Sequence, residues 1–243
     1  KNGFGEIANR ISKKIKENGG EVLTNQAVEE ILIKKDNKFV IKTKNLDLNS
    51  DHVISTIPIN KVINLVKPIP TEEIIKSLNN LEYLSLILVY VTTKKINVLD
   101  CEYCYFVNRT FNRLSEMNFI TGNKDPKKNN LIIAEISCHY NDSMWNSSDD
   151  EIFSLCTKDL ERDNFLSKDE ILNFEIIKME SVYPIYKKDY KKYLDDANSY
   201  FSNIKNFYST GRQGQFFYGD SDQMIRLGFD VADKIVKNNP KIN

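Results

Sequence analysis

The stretch from Phe207 to Gly228 constrains this chain more than any other. It holds four of the nine glycines, Gly211, Gly214, Gly219 and Gly228, between an apolar strand-like run and an amphipathic helical one. A strand, a glycine turn and a helix N-terminus in succession expose free backbone N–H groups and the positive end of a helix dipole. Such a turn accepts a phosphate or an electron-rich heterocycle. Arg212 adds a bidentate fork, while Asp220 and Asp222 stand where a carboxylate caps the helix or accepts from ribose-like hydroxyls. The same residues also read as a plain loop with an aspartate N-cap, because glycine-rich strand–helix turns are common. Both readings stay open at this level.

The remaining pattern predicts where that turn sits. Phe4, Ile7, Ala8, Ile11 and Ile15 recur at helical spacing, and Asn18-Gly19-Gly20 supplies a left-handed cap. Glu21-Val22-Leu23 and Ala27 to Ile33 read as strands, and the polar turn over 34–38 leads into Phe39-Val40-Ile41, a hairpin. His52 to Ile57 is a buried strand ending at Pro58, followed by helical patterns over Ile59 to Val66 and Thr71 to Leu78. Leu84 to Thr92, Tyr103 to Val107, Phe119-Ile120, Leu131 to Ser137 and Ile171 to Val182 are predicted strands. Ser148 and Glu151 form a capping box for the helix that carries Ile152, Phe153, Leu155, Cys156 and Leu160. A helix from about Asp189 to Phe201, a strand Phe207 to Thr210 and a closing helix Gln223 to Val236 complete an α/β chain with an α+β middle.

Charge excludes some functions. Thirty-four basic side chains balance 34 acidic ones, which leaves no cationic surplus for a nucleic acid partner. No apolar run approaches the roughly 20 residues of a transmembrane helix. Four cysteines without signal-peptide context read as reduced thiols, and the expected location is cytoplasmic. The first residue is Lys1, not Met, so the chain is expected to begin partway through a longer protein.

Three segments together carry a family resemblance. Gly211-Arg212-Gln213-Gly214 through Tyr218-Gly219-Asp220-Ser221-Asp222 resembles the C-terminal flavin-contacting motif of the FAD-dependent amine oxidases, protoporphyrinogen oxidases and UDP-galactopyranose mutase-like flavoproteins. Gly3-Phe4-Gly5-Glu6-Ile7, with Leu23 to Ile31 beyond its helix, resembles that superfamily's second dinucleotide-contacting region. Asp51 to Pro58 resembles the strand that closes it. Phe216 stands where the mutases have a tyrosine, and Ser221 where methionine is common.

The resemblance implies part of an FAD/NAD(P)-binding Rossmann-like domain with an inserted mixed-sheet substrate domain. Residues 1–57 and 184–243 would form the two portions of the FAD-binding domain, and 58–183 the substrate-binding domain. It further implies that the backbone of Val28 touches the adenine. Gly211, Arg212, Asp220, Ser221, Asp222, Gln223 and Met224 would lie along the ribityl chain and flavin. Arg212 and Tyr218, with Tyr186 nearby, would alternatively contact a small-molecule substrate, in the mutases a nucleotide sugar. The implied activity is an FAD-dependent oxidoreductase, with a flavin-dependent mutase or a non-catalytic binding module as alternatives. No catalytic acid or base is assigned. No GxGxxG follows a strand here, so the loop that seats the pyrophosphate is expected in an N-terminal Rossmann segment of the same protein, without which FAD binds weakly or not at all.

Other motifs have plainer readings. Cys101-Glu102-Tyr103-Cys104 lies in a strand-like run, where i and i+3 side chains point to opposite faces, which disfavours a redox pair. A zinc site would need ligands beyond Cys138, Cys156, His52 and His139, and no metal is expected. His139 and Asp142 read as a strand end and its turn, and the tyrosines from Tyr183 to Tyr200 mostly as packing around the last helices.

Overall fold

The computed structural model describes residues 3–122 and 129–238. In chain order the elements are α1 (Gly5–Glu17), β1 (Val28–Ile33), β2 (Phe39–Thr43), β3 (Asp47–Ser50), β4 (Val53–Ser55), α2 (Ile59–Leu65), β5 (Val66–Lys67) and α3 (Glu72–Leu78). There follow β6 (Tyr83–Thr93), β7 (Tyr103–Tyr105), β8 (Arg113–Glu116), α4 (Met117–Thr121), β9 (Asn130–Cys138), α5 (Ser143–Asn146) and α6 (Asp149–Arg162). The last are β10 (Ile171–Pro184), α7 (Tyr190–Ser202), β11 (Phe207–Ser209), α8 (Gly211–Gly214) and α9 (Ser221–Asn238). They fall into two compact units. One comprises Leu23–Tyr83 and the segment from Tyr183 on, and the other Leu84–Val182 with the N-terminal segment through Val22.

The first unit carries two sheets, one of four strands in the order β3-β2-β1-β5 and a parallel pair β11-β4. The hairpin β1–β2 closes over the polar turn as the residues require. Asn37 takes the left-handed conformation at φ 60°, and the Lys34 amide donates to the Lys38 carbonyl at 2.8 Å. This unit extends past the division expected at residue 57 as far as Tyr83. The reason is burial: Ile59, Val62 and Ile63 of α2 and Leu78 of α3 share one core with Phe39 of β2 and Phe207 of β11.

The second unit is a five-stranded sheet in the order β10-β6-β9-β8-β7. β6 and β9 pair antiparallel from Ser85 opposite Cys138 to Thr93 opposite Asn130. Along β9 the residues Ile132, Ala134 and Ile136 alternate inward and pack with Ile152, Cys156 and Leu160 of α6. The capping box that starts α6 is present, and its hydrogen bonds to Ser148 hold the Glu151 carboxyl below the usual carboxylate range. Glu116 is buried at the end of β8, where its carboxylate accepts from the amides of Val98 (3.1 Å) and Leu99 (2.7 Å) and from the Asn130 side chain (2.7 Å).

Three local expectations differ from the structure. Glu21-Val22-Leu23 forms no strand: it lies at the passage between the units, and Val22 and Leu23 are exposed. Phe119-Ile120 belongs to the one-turn helix α4, which Gly122 closes with a left-handed cap at φ 67°. The glycine-rich loop after β11 contains the single helical turn α8.

Candidate functional site

β4 and β11 run parallel, with Val53 opposite Phe207 and Ser55 opposite Ser209, so both strands end side by side. The Thr210 amide extends the ladder by donating to the Ser55 carbonyl at 2.9 Å. Ligands of open α/β sheets bind at the carboxyl ends of parallel strands, where the chain leaves the ladder and frees backbone groups. Here those ends are Ser55-Thr56 and Thr210-Gly211. Gly211 has φ 78°, the left-handed region in which a side chain is strained. Gly214 approaches so closely that a Cβ would stand 3.0 Å from both the Ser55 carbonyl oxygen and Ser209 Oγ. α8 is fastened from below by Tyr83, whose hydroxyl donates to the Gln213 carbonyl and accepts from the Ile59 amide at 3.3 Å. Burial pushes the ionisation of that phenol well above its ordinary value.

A cleft of about 770 Å³ opens beside β4, lined among others by Val28, Ile31, Ser55, Thr56, Ile57 and Lys61. That volume lies within the range of sites for cofactors and other small ligands. Its walls are largely apolar. Two polar atoms at the ends of β4 and β11 are unsatisfied: Ser55 Oγ in the cleft wall, and Thr210 Oγ1 on the neighbouring strand end, are buried and lack a hydrogen-bond partner. A buried hydroxyl without a partner costs free energy, so such a pair points to a ligand that supplies one. A flavin nucleotide fits this donor set. Its ring needs apolar walls, and its polar edges need hydroxyl and backbone groups.

The expected site residues fall in two places. Val28, exposed at the start of β1 beside an irregularity in the β1–β2 register, lines the cleft, and Gly211 lies against Thr56 on its rim. The others gather around Arg212 in the same unit. The guanidinium lies 5.4 Å from the ring centre of Tyr183 and 5.3 Å from that of Tyr218, and it donates to the Gly219 carbonyl. Tyr186 accepts from the Tyr218 amide at 2.8 Å and stacks on Tyr190 with ring centres 4.6 Å apart. Asp220, Ser221 and Asp222 are exposed at the start of α9, where the Gln223 side chain accepts from the Asp220 amide at 2.8 Å. Met224 follows half-buried, its amide donating to the Asp220 carbonyl at 3.0 Å.

Sequence reasoning assigned no role to Ser55, Thr56, Thr210 or Lys61. The available signal was two hydroxyl residues at the end of the apolar run 53–57, just before Pro58. Asp142 accepts from the amides of His139 (2.9 Å) and Trp145 (2.8 Å), which makes it the cap of α5. Among the described residues no three His, Cys, Asp or Glu side chains gather to hold a metal, and no helix is long and apolar enough to cross a membrane.

The fold is that of the flavoenzymes. The chain superposes on reduced UDP-galactopyranose mutase with a TM-score of 0.82 at 18% identity, over 99% of this chain and 52% of that one. A variant of putrescine oxidase follows at 0.73 and 13%, over 98% and 53%. A protein assigned as protoporphyrinogen oxidase from Exiguobacterium sp. 255-15 gives 0.68 and 16%, over 87% and 46%. The chain thus spans about half the length of these structures, and at such identities the likeness is one of fold. No curated protein matches its sequence. The flavin-containing amine oxidoreductase family matches residues 1–211, and the chain belongs to that family, whose members carry a flavin cofactor.

Proposed function

We propose that this chain forms the C-terminal part of an FAD-dependent oxidoreductase acting on a small molecule. In this reading the unit that holds the cleft contributes to FAD binding and the five-stranded sheet unit to substrate binding. An N-terminal Rossmann segment of the same protein supplies the rest of the cofactor site. The observation that carries the reading is the pair of buried, unpartnered hydroxyls of Ser55 and Thr210 at the ends of two parallel strands. FAD when bound supplies the electron and hydride chemistry. The residues of this chain bind and orient it. The backbone of Val28 meets the adenine, the turn at Gly211 leaves the ring unobstructed, and Arg212 with the start of α9 from Asp220 to Met224 flanks the ribityl chain. The test is the visible absorption spectrum of the protein extended upstream by one mononucleotide-binding unit. A flavin band that substrate bleaches under anaerobic conditions supports the proposal. A colourless, well-folded protein overturns it in favour of a binding module.

A second reading, a mutase acting on a nucleotide sugar, is favoured by one observation. Arg212 is held between Tyr183 and Tyr218 and donates to the Gly219 carbonyl, and its planar five-donor fork has the shape to pair with a diphosphate. This reading expects UDP-sugar binding by calorimetry that Arg212→Ala abolishes. Equal affinity in that variant eliminates it.

A further inference from the structure

Cys101 and Cys104 do not diverge as a strand would have them. β7 starts only at Tyr103, so Cys101 lies in the bend before it, and the two sulfurs stand 2.9 Å apart. The bend is held from both sides. The Glu116 carboxylate accepts from the Leu99 amide at 2.7 Å, the Glu116 amide donates to the Glu102 carbonyl at 3.0 Å, and Cys101 Sγ turns back to the Tyr103 carbonyl at 3.2 Å. Both thiols are half-buried against the core of the sheet unit, whereas Cys138 and Cys156 are buried within it. Closing an S–S bond of about 2.05 Å from this starting point needs a sulfur displacement of roughly 0.9 Å, which side-chain rotation supplies.

We propose that Cys101 and Cys104 are a dithiol modification site that low-molecular-weight disulfides oxidise to an intramolecular disulfide. The Cys101 thiolate attacks one sulfur of the small disulfide, forms a mixed disulfide and releases one small thiol. Cys104 then loses its proton and attacks Cys101 Sγ, which forms the Cys101–Cys104 bond and expels the second small thiol. Two protein thiols are oxidised, one small disulfide is reduced to two thiols, and nothing else is consumed.

The experiment equilibrates the full chain with oxidised and reduced glutathione over a series of ratios, blocks free thiols with iodoacetamide under denaturing conditions, and maps tryptic peptides by mass. Both cysteines fall in one peptide, residues 96–109, separate from Cys138 and Cys156. The expected result is an unalkylated peptide lighter by two hydrogens at oxidising ratios, restored by reduction. The variant Cys104→Ser is expected to trap glutathione on Cys101 as a mixed disulfide, and neither Cys104→Ser nor Cys101→Ser is expected to give the peptide lighter by two hydrogens. Two alkyl groups on the peptide at every ratio, or pairing of either residue with another cysteine, overturns the proposal.

Discussion

Thr210→Val tests whether the site is built for a ligand or merely poorly packed. Thr210 is 4% exposed, its backbone is extended (φ −148°, ψ 171°), and its hydroxyl lacks a partner. Valine keeps the shape, suits the extended backbone and removes the unsatisfied oxygen. A buried hydroxyl without a partner costs about 1–3 kcal/mol, so the ligand-free protein should gain on the order of 1 kcal/mol once imperfect repacking is allowed for. For a chain of this length that raises Tm by about 2–4 °C. In the flavin-loaded protein the sign reverses. There the hydroxyl has its partner, and losing a hydrogen bond worth about 0.5–1.5 kcal/mol weakens flavin binding by roughly 2- to 12-fold. In the protein extended upstream by one mononucleotide-binding unit, scanning calorimetry with and without flavin, and flavin titration by fluorescence quenching, read the two effects separately. A lower Tm without ligand, or unchanged flavin affinity, refutes the reasoning.

Two further perturbations probe the surroundings. Gly214→Ala places a Cβ 3.0 Å from the Ser55 carbonyl, a backbone atom that cannot swing aside, so it should destabilise the unit by roughly 1–3 kcal/mol and be seen as a lower denaturant midpoint with unchanged slope. In the sheet unit, Arg109 holds Asp163 through contacts of 2.6 and 2.7 Å and keeps its carboxyl below the ordinary 3.8. A depressed carboxyl stabilises above its unfolded pKa and loses that stabilisation as pH falls through the folded value. Asp163→Asn should therefore be less stable than the parent near neutrality, and urea midpoints should converge below about pH 4.

Much of this was legible from local chemistry. Ser148 with Glu151, the polar turn before Phe39, and the alternation along Leu131 to Ser137 each act within a few residues, and each appears where the pattern puts it. The illegible parts depend on partners distant in sequence. Phe119-Ile120 has the composition of a strand, but Gly122 and the buried Asn118 close it into a helical turn. Cys101 and Cys104 meet because Glu116 pins the bend ahead of β7, a contact that no spacing rule contains. Ser55 and Thr210 are unremarkable apart, and only the β4–β11 pairing joins them.

That pairing explains why the candidate site belongs to both ends of the sequence. Parallel strands cannot be joined by a tight turn and require a crossover. Between Ser55 and Phe207 the crossover here includes all five strands of the second unit's sheet. The first unit nevertheless has a single core, in which Phe207 packs on Phe39 with ring centres 6.3 Å apart and on Phe201 at 5.1 Å. Phe216 meets Tyr83 edge-on at 5.0 Å just beneath α8. The aromatic contacts that bring the late strand home are therefore also those that set the height of Gly211 and Thr210 against Ser55. The site's geometry is a consequence of core packing, and a substitution at Phe207 or Phe216 would reach it without touching a ligand.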